Sequence, residues 1–217
     1  MKEAKWEACD DLQQMLRVGL LQRRRLGRKM RLFAVACCRR FQHLVADETC
    51  RRALELAERY AEGACTEREA SNLWRQAWER PDCSLDNAIT GTAARATAST
   101  IIPKSAYGAA SNVAHELGVV TPAADDQAAY RALLRDIIGF LPFRGVVIDP
   151  SCLVWQDHLV VRIAQGIYDD RAFDRLPILA DALEDAGCAN ADILAHCRGA
   201  GPQVRGCWVV DLILGKT

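Results

Sequence analysis

The chain has 217 residues, half of them apolar, and its 28 basic residues equal its 28 acidic residues in number, which is typical of a globular protein with a substantial core. No stretch approaches the roughly 18 uncharged apolar residues of a membrane span, and residues 1–7 lack the apolar centre of a signal peptide. The ten cysteines form no Cys-x-x-Cys pair, which argues against the most specific zinc and redox motifs. We therefore expect a cytoplasmic protein with reduced thiols and no membrane partner.

The charge is unevenly distributed along the chain. Residues 1–52 contain 13 Lys and Arg against 6 Asp and Glu, a surplus of 13 − 6 = 7, so the remainder carries a deficit of 7. Such asymmetry indicates either an anionic partner for the first part or attraction between the two parts of the chain. The sequence favours the second interpretation.

Three helices are predicted before residue 82. Apolar residues recur at spacings of three and four over 26–44, with arginines largely on the other side, and a second stripe over 50–61 ends at Gly63. Thr66 and Glu69 form the pattern of a capping box at the start of a third helix, which ends at Pro81.

Small residues dominate the middle of the chain. Ala, Gly, Ser and Thr make up 19 of the 32 residues over 87–118. This composition fits closely packed helices or a connector, and Pro103 is expected to interrupt any helix there.

Helical stripes return after Thr121. We predict helices over 130–138, 159–167, 173–183 and 190–197, with Asp174 capping the third and Pro177 in its first turn. The segment 204–214 fits helix and strand about equally, and we choose helix because its neighbours are helical. The predicted fold is an all-α bundle or irregular helical array with one candidate short strand at 146–148, divided into 1–86, 87–120 and 121–217.

The segment HCRGAGPQVRGCW, residues 196–208, raises the possibility of a metal site. Cys188, His196 and Cys207 have the ligand atoms of a zinc site, with Cys197 as a neighbour. A tight turn between two helices explains the same residues, since cysteine packs as a small apolar side chain and histidine suits a helix C-terminus. We favour the turn and keep zinc as an alternative.

A second cysteine and histidine cluster lies between residues 37 and 50. His43 lies five residues after Cys38, about 140° around a helix, so the two side chains diverge and do not form a catalytic pair. Cys37 and Cys50 fall on apolar stripes and are predicted to be core residues.

Two segments carry a resemblance. RKMRLFAVACCRRFQHLVADETCRRALELAERYAEG, preceded by WEACDD, and YDDRAFDRLPILADALEDAGCANADILAHCRGAGPQVRGCWVVDLILGK resemble a large paralogous family of uncharacterised Planctomycetes proteins. The family often has tryptophan in its middle segment, histidine where Gln203 stands and another residue where Cys197 stands, and the last two departures weaken a metal site. The resemblance implies kinship without an assigned activity, and a portable C-terminal module implies interaction more than catalysis.

We therefore expect a non-catalytic protein–protein interaction or adaptor module without a cofactor. The alternatives are a zinc-stabilised module, a nucleic-acid-binding protein that uses the basic face over 23–40, and a cysteine- or metal-dependent enzyme. The predicted contacting residues are Arg23, Arg24, Arg28, Arg39, Arg198 and Arg205.

Overall fold

The computed structural model describes residues 2–20, 23–45, 47–79, 88–102, 105–140 and 143–216, and the side chains of 18–20, 23–25 and 88–91 lie outside the description. The described residues form twelve α-helices and contain no strand, so the predicted all-α class is confirmed. None of these helices combines the length and apolar character needed to cross a membrane. The chain divides into two compact units, Met1–Arg131 and Ala132–Thr217.

The first unit contains seven helices and the first part of an eighth. They are α1 (Glu3–Glu7), α2 (Leu12–Leu20), α3 (Arg23–Arg40), α4 (Glu48–Ala61), α5 (Glu67–Trp78), α6 (Ala88–Ser99), α7 (Ala106–Val120) and α8 (Ala124–Ile138), which continues into the second unit.

Helix α3 lies at the centre of the first unit and packs against α4 and α7. Phe33 on α3 and Phe41, directly after it, are fully buried, as the apolar stripe predicts. Helices α6 and α7 pack closely, and both carry fully buried small side chains such as Ala96 and Ala110. The small-residue segment therefore forms packed helices, while Pro103 lies outside the described residues.

Local sequence signals place several helix ends correctly. Thr66 Oγ1 accepts the Glu69 backbone N–H at 3.2 Å, and the Glu69 carboxylate accepts the Thr66 N–H at 2.7 Å, so the capping box is present. Gly63 has φ +70° just after α4, where a left-handed residue ends the helix.

The second unit begins within α8 and contains four further helices, α9 (Pro150–Asp170), α10 (Leu176–Asp185), α11 (Ala191–Arg198) and α12 (Trp208–Ile213). Its core lies between residues 148 and 213 and includes Val160, Leu179, Ile193 and Val209, all fully buried. Asn190 caps α11 by accepting the N–H groups of Asp192 and Ile193.

Helix α9 is interrupted without a glycine. Trp155 is extended at ψ 135°, and the next three residues, Gln156, Asp157 and His158, all have left-handed backbone angles with φ of 43°, 52° and 63°. L-residues in this region cost roughly 1–2 kcal/mol each relative to right-handed helix. The spacing that predicted a helix from 159 therefore corresponds to the second of two helical segments.

Three expectations for the second half need correction. Residues 144–149 form a loop, and a strand at 146–148 is wrong because no other described segment is a strand with which it could pair. Asp174 does not cap α10, since the 3₁₀ turn Phe173–Arg175 runs directly into that helix and Arg175 occupies the N-cap. The segment 204–214 is helical only from Trp208 onward.

The predicted divisions differ from the two units. The segments 1–86 and 87–120 belong to one compact unit, because α6 and α7 pack on α3 and α4. The boundary expected at residue 120 lies 131 − 120 = 11 residues before the observed one, which falls within α8.

Candidate functional site

The segment 196–208 forms a turn between α11 and α12. His196 lies in the last turn of α11, and Trp208 begins α12. The Gln203 amide nitrogen donates to the carbonyls of His196 and Gly199 at 3.1 and 2.9 Å. The Gly199 N–H also donates to the His196 carbonyl at 3.2 Å, so main-chain and side-chain donors together close the C-terminal end of α11. Gly206 adopts φ +99°, which favours glycine at this position.

A buried network joins both ends of this turn to α8. His196 Nε2 lies 3.0 Å from Asp136 Oδ1 and 3.2 Å from Cys207 Sγ. The other carboxylate oxygen, Oδ2, accepts the Val204 backbone N–H at 3.1 Å. The Trp208 indole Nε1–H donates to His196 Nδ1 at 3.0 Å. Two further side chains, Cys207 and Trp208, and one backbone amide thus converge on Asp136 and His196.

The indole fixes the proton on His196. An indole nitrogen only donates, so Nδ1 must offer its lone pair to Trp208, and the ring proton of a neutral imidazole then lies on Nε2. The Nε2 nitrogen makes its hydrogen bond with Cys207 Sγ, and it also lies within ion-pair distance of Asp136 Oδ1. The hydrogen bonds therefore run from Trp208 through His196 to Cys207, while Asp136 Oδ1 makes no hydrogen bond within the described residues.

Burial sets the ionisation of the acidic groups in this network. Burial raises the pKa of Asp136, and hydrogen bonds from His196, Val204 and Cys207 oppose that shift. Burial is also the main cause that raises the pKa of Cys207 well above its ordinary value, with the neighbouring Asp136 charge adding to it. The Cys207 thiol is therefore protonated and enclosed.

The predicted metal set is brought together in part. Asp136, His196 and Cys207 each place one ligand atom within 4.8 Å of the others. Cys188 is not a member of this group, although it is buried directly after Gly187. Sequence reasoning missed Asp136. The sequence feature that could have identified Asp136 is its position three residues after Leu133, which places an acidic side chain on the apolar side of the predicted helix 130–138.

The geometry of the group fits hydrogen bonding better than metal coordination. Zinc bound by a nitrogen and a sulfur in a tetrahedron holds them about 3.5 Å apart, whereas His196 Nε2 and Cys207 Sγ are separated by 3.2 Å. Coordination through Nε2 would also put the ring proton on Nδ1, directly facing the Trp208 N–H. A metal would therefore require Trp208 to move.

The group also lacks the arrangement of a catalytic triad. A nucleophile and an orienting carboxylate must contact opposite nitrogens of the histidine. Here Cys207 and Asp136 both face Nε2, while Nδ1 is taken by Trp208. Reactive cysteines moreover have a lowered pKa and access to solvent, and Cys207 has neither.

The arginines predicted to form a basic surface are largely paired within the chain. Arg28 contacts Glu62 at 2.8 Å, and Arg39 contacts Glu58 at 2.5 Å. Both acidic partners lie beyond residue 52, so part of the charge asymmetry is balanced inside the first unit. The side chains of Arg23 and Arg24 lie outside the described residues.

The two predicted arginines of the second unit are also engaged. Arg198 contacts Asp181 at 2.9 Å and Glu184 at 2.5 Å while remaining 42% exposed. Arg205 donates to the Tyr168 carbonyl at 2.8 Å and stacks over the ring of the same residue. Arg198 is thus at the surface, whereas Arg205 has a structural role.

The cysteine and histidine cluster of the first unit forms no site. Cys37, Cys38 and Cys50 are fully buried. Burial raises the pKa of both Cys37 and Cys38. His43 lies in the 3₁₀ turn that follows α3, outside the helix that carries the two adjacent thiols.

Comparisons with protein-family models, with curated proteins and with solved structures found no match. The resemblance to the Planctomycetes family stays a prediction. Function must therefore be argued from the residues of this chain.

Proposed function

We propose that this chain is a non-catalytic helical interaction module that contacts a partner protein through the turn at 198–206. The observation that supports the proposal is the buried network of Asp136, which holds His196 at one end of the turn and Val204 near the other. Between these points Gly199, Ala200 and Gly201 are exposed. A surface loop fixed by buried polar contacts binds without a large loss of conformational entropy.

The chemistry of the network supports binding over catalysis. Its thiol is buried and protonated, and its histidine is engaged on both nitrogens. Free thiols throughout the described residues fit a reducing compartment, and we propose a cytoplasmic location on that basis. Internal pairing of Arg28 and Arg39 makes a nucleic-acid partner a weaker candidate than a protein.

Site-specific photo-cross-linking tests this proposal. A benzoylphenylalanine at Ala200, in the full chain expressed in its source organism, is expected to give one adduct of defined mass. The same probe at exposed Ser151 serves as the control and should not give that adduct. Arg198→Ala should weaken the adduct several-fold, while Arg175→Ala, an exposed paired arginine of the same unit, should not. Equal labelling from both probe positions, or no adduct, contradicts the proposal.

A zinc-stabilised module is the second candidate, because the ligand atoms of Asp136, His196 and Cys207 cluster within 4.8 Å. We rank it lower because of the proton that Trp208 donates to His196. Metal analysis of protein purified without chelator separates the two candidates. We expect less than about half an equivalent of zinc, whereas a full equivalent that Cys207→Ser abolishes would favour the metal.

A further inference from the structure

The first unit contains a cleft of about 390 Å³ that has no part in the proposed turn interface. Four helices contribute to it. Gln13 lies on α2, Trp78 ends α5, Ser99 ends α6, and α7 supplies one wall. The volume is within the range of small-molecule sites.

The polar side chains of the cleft are not used by the fold. None of them makes a hydrogen bond within the described residues, and since most of them are at least partly exposed, they meet water that a ligand can displace. They are Gln13, Ser99, Ser111, Asn112 and His115. Hydroxyl and amide groups both donate and accept, so this set can match ligand groups that also do both.

An indole forms an aromatic wall of the cleft. Trp78 is 44% exposed, which is unusual for the largest apolar side chain, and its ring is backed by Trp74 at 6.0 Å between centroids. The face of an indole carries negative charge density and attracts weakly positive C–H groups. A pyranose ring presents such C–H groups on its face and hydroxyl groups around its edge.

The charge of the cleft is close to neutral. Glu116 is the one formally charged side chain among its described lining residues, and Arg95 lies 3.6 Å from that carboxylate. No lysine or arginine is among the described lining residues, and nearby Arg95 is paired with Glu116, so these residues offer a phosphate or carboxylate no unpaired cation. The cleft thus disfavours anionic ligands.

We infer that this cleft is a binding site for a neutral saccharide. The ring of the sugar stacks on Trp78, and its hydroxyl groups bond to the serine and amide side chains of α7 and to Gln13. The inference is independent of the turn interface, because the described lining residues all belong to the first unit.

Saturation-transfer difference NMR and titration calorimetry on the full chain test the inference. The probes are glucose, galactose, mannose, N-acetylglucosamine, maltose and cellobiose, with glucose 6-phosphate and adenosine as competitors of other chemistry. We expect at least one neutral sugar to bind with a Kd below about 10 mM. Absence of binding by all six sugars, or tighter binding of the phosphate or the nucleoside, overturns the inference.

Variants then locate the site. Trp78→Ala and Asn112→Ala should each raise the Kd about tenfold or more, while Trp78→Phe, which keeps a flat ring, should retain most of the affinity. Val119→Ala, at an exposed position of α7 outside the cleft, is the matched control. Asn112 is exposed, so its variant is expected to fold even if Trp78→Ala does not. Unchanged affinity in Asn112→Ala, or an equal loss of affinity in Val119→Ala, would contradict the assigned site.

Discussion

At the scale of single residues, Asp136 has the largest expected effect on stability. Its buried carboxylate accepts the Val204 backbone N–H and lies 3.0 Å from His196 Nε2, and both of these residues are partly buried. Asp136→Ala removes the acceptor of the Val204 N–H and the carboxylate that faces His196, and breaking a buried pair costs about 3–5 kcal/mol. We expect a loss of this size in the free energy of unfolding measured with urea.

An exposed aspartate of the same unit provides the control for this prediction. Asp181 pairs with Arg198 at the surface and is 73% exposed, so solvent screens the pair and Asp181→Ala should change the unfolding midpoint little. Equal losses in the two variants would show that the Asp136 network does not stabilise the second unit.

The thiols provide a second prediction at this scale. Cys207 is fully buried with a strongly raised pKa, and burial raises the pKa of Cys197 to about 12. The thiolate is the reactive form, so neither should react with iodoacetamide at pH 8 in the native protein. Cys65, which is partly exposed, should react before both. Peptide mass spectrometry after timed labelling measures the order, and rapid labelling of Cys207 would reopen the interpretation as a cysteine enzyme.

Single residues also explain how much of the site the sequence predicts. The capping box of Thr66 and Glu69 involves neighbours three positions apart, so a short motif predicts it. Asp136 and His196 lie 60 positions apart and meet only through tertiary packing. Helical periodicity indicates that each faces the core, but it does not show which side chains meet there.

At the scale of elements, the break in α9 is the feature that no sequence signal indicated. The break contains Gln156, Asp157 and His158 but no glycine. Since glycine adopts left-handed angles most readily, its absence left the break without a sign in the sequence. Contacts nearby compensate, since His158 Nδ1 lies 2.9 Å from the Leu153 carbonyl and Arg162 donates to the Asp157 carbonyl.

Gln156→Gly should stabilise the protein. The side chain of Gln156 makes no hydrogen bond in the described residues, and glycine removes the steric cost of φ +43°, for an expected gain of about 1 kcal/mol. Gln165→Gly, in the regular part of α9, should instead destabilise by about 1 kcal/mol. Thermal unfolding compares the two, and destabilisation by both would mean that residue 156 is right-handed.

The junction of α8 with the site gives another test by glycine replacement. A Cβ at Gly139, where φ is +58°, would lie 2.5 Å from Trp208 Cγ. Since Trp208 is held by His196, Gly139→Ala should cost more than about 2 kcal/mol and alter the near-UV circular dichroism. Gly166→Ala, on α9 with open space around it, should stabilise by up to about 1 kcal/mol. A mild effect at Gly139 would indicate that the Trp208 ring moves freely.

At the scale of the whole molecule, composition predicts the helical class but not the division into units. Residues 87–118 read equally well as a connector or as helices, because small side chains suit both. In the structure α6 and α7 pack on α3 and α4, so the two predicted segments 1–86 and 87–120 form one compact unit. Such packing depends on surfaces far apart in sequence, which a pattern of small residues does not specify.

The second unit should fold as an isolated fragment that begins at residue 121. Its core cluster lies within residues 140–214, and the fragment keeps all of α8 with Asp136. A domain of about 100 residues buries enough apolar surface to fold alone. We expect a single cooperative urea transition followed by the fluorescence of Trp155 and Trp208, the two tryptophans of the fragment.

A shorter fragment identifies what α8 contributes to this stability. The fragment 140–217 keeps the apolar cluster but removes Asp136, so the Val204 N–H loses its acceptor and His196 loses the carboxylate that faces it. It should unfold at a lower urea concentration, with a loss similar to that of Asp136→Ala or greater, because the contacts of α8 are lost as well. Equal midpoints for the two fragments would show that α8 belongs energetically to the first unit. A broad transition in the longer fragment would show that the cluster does not form a stable core without residues 1–120.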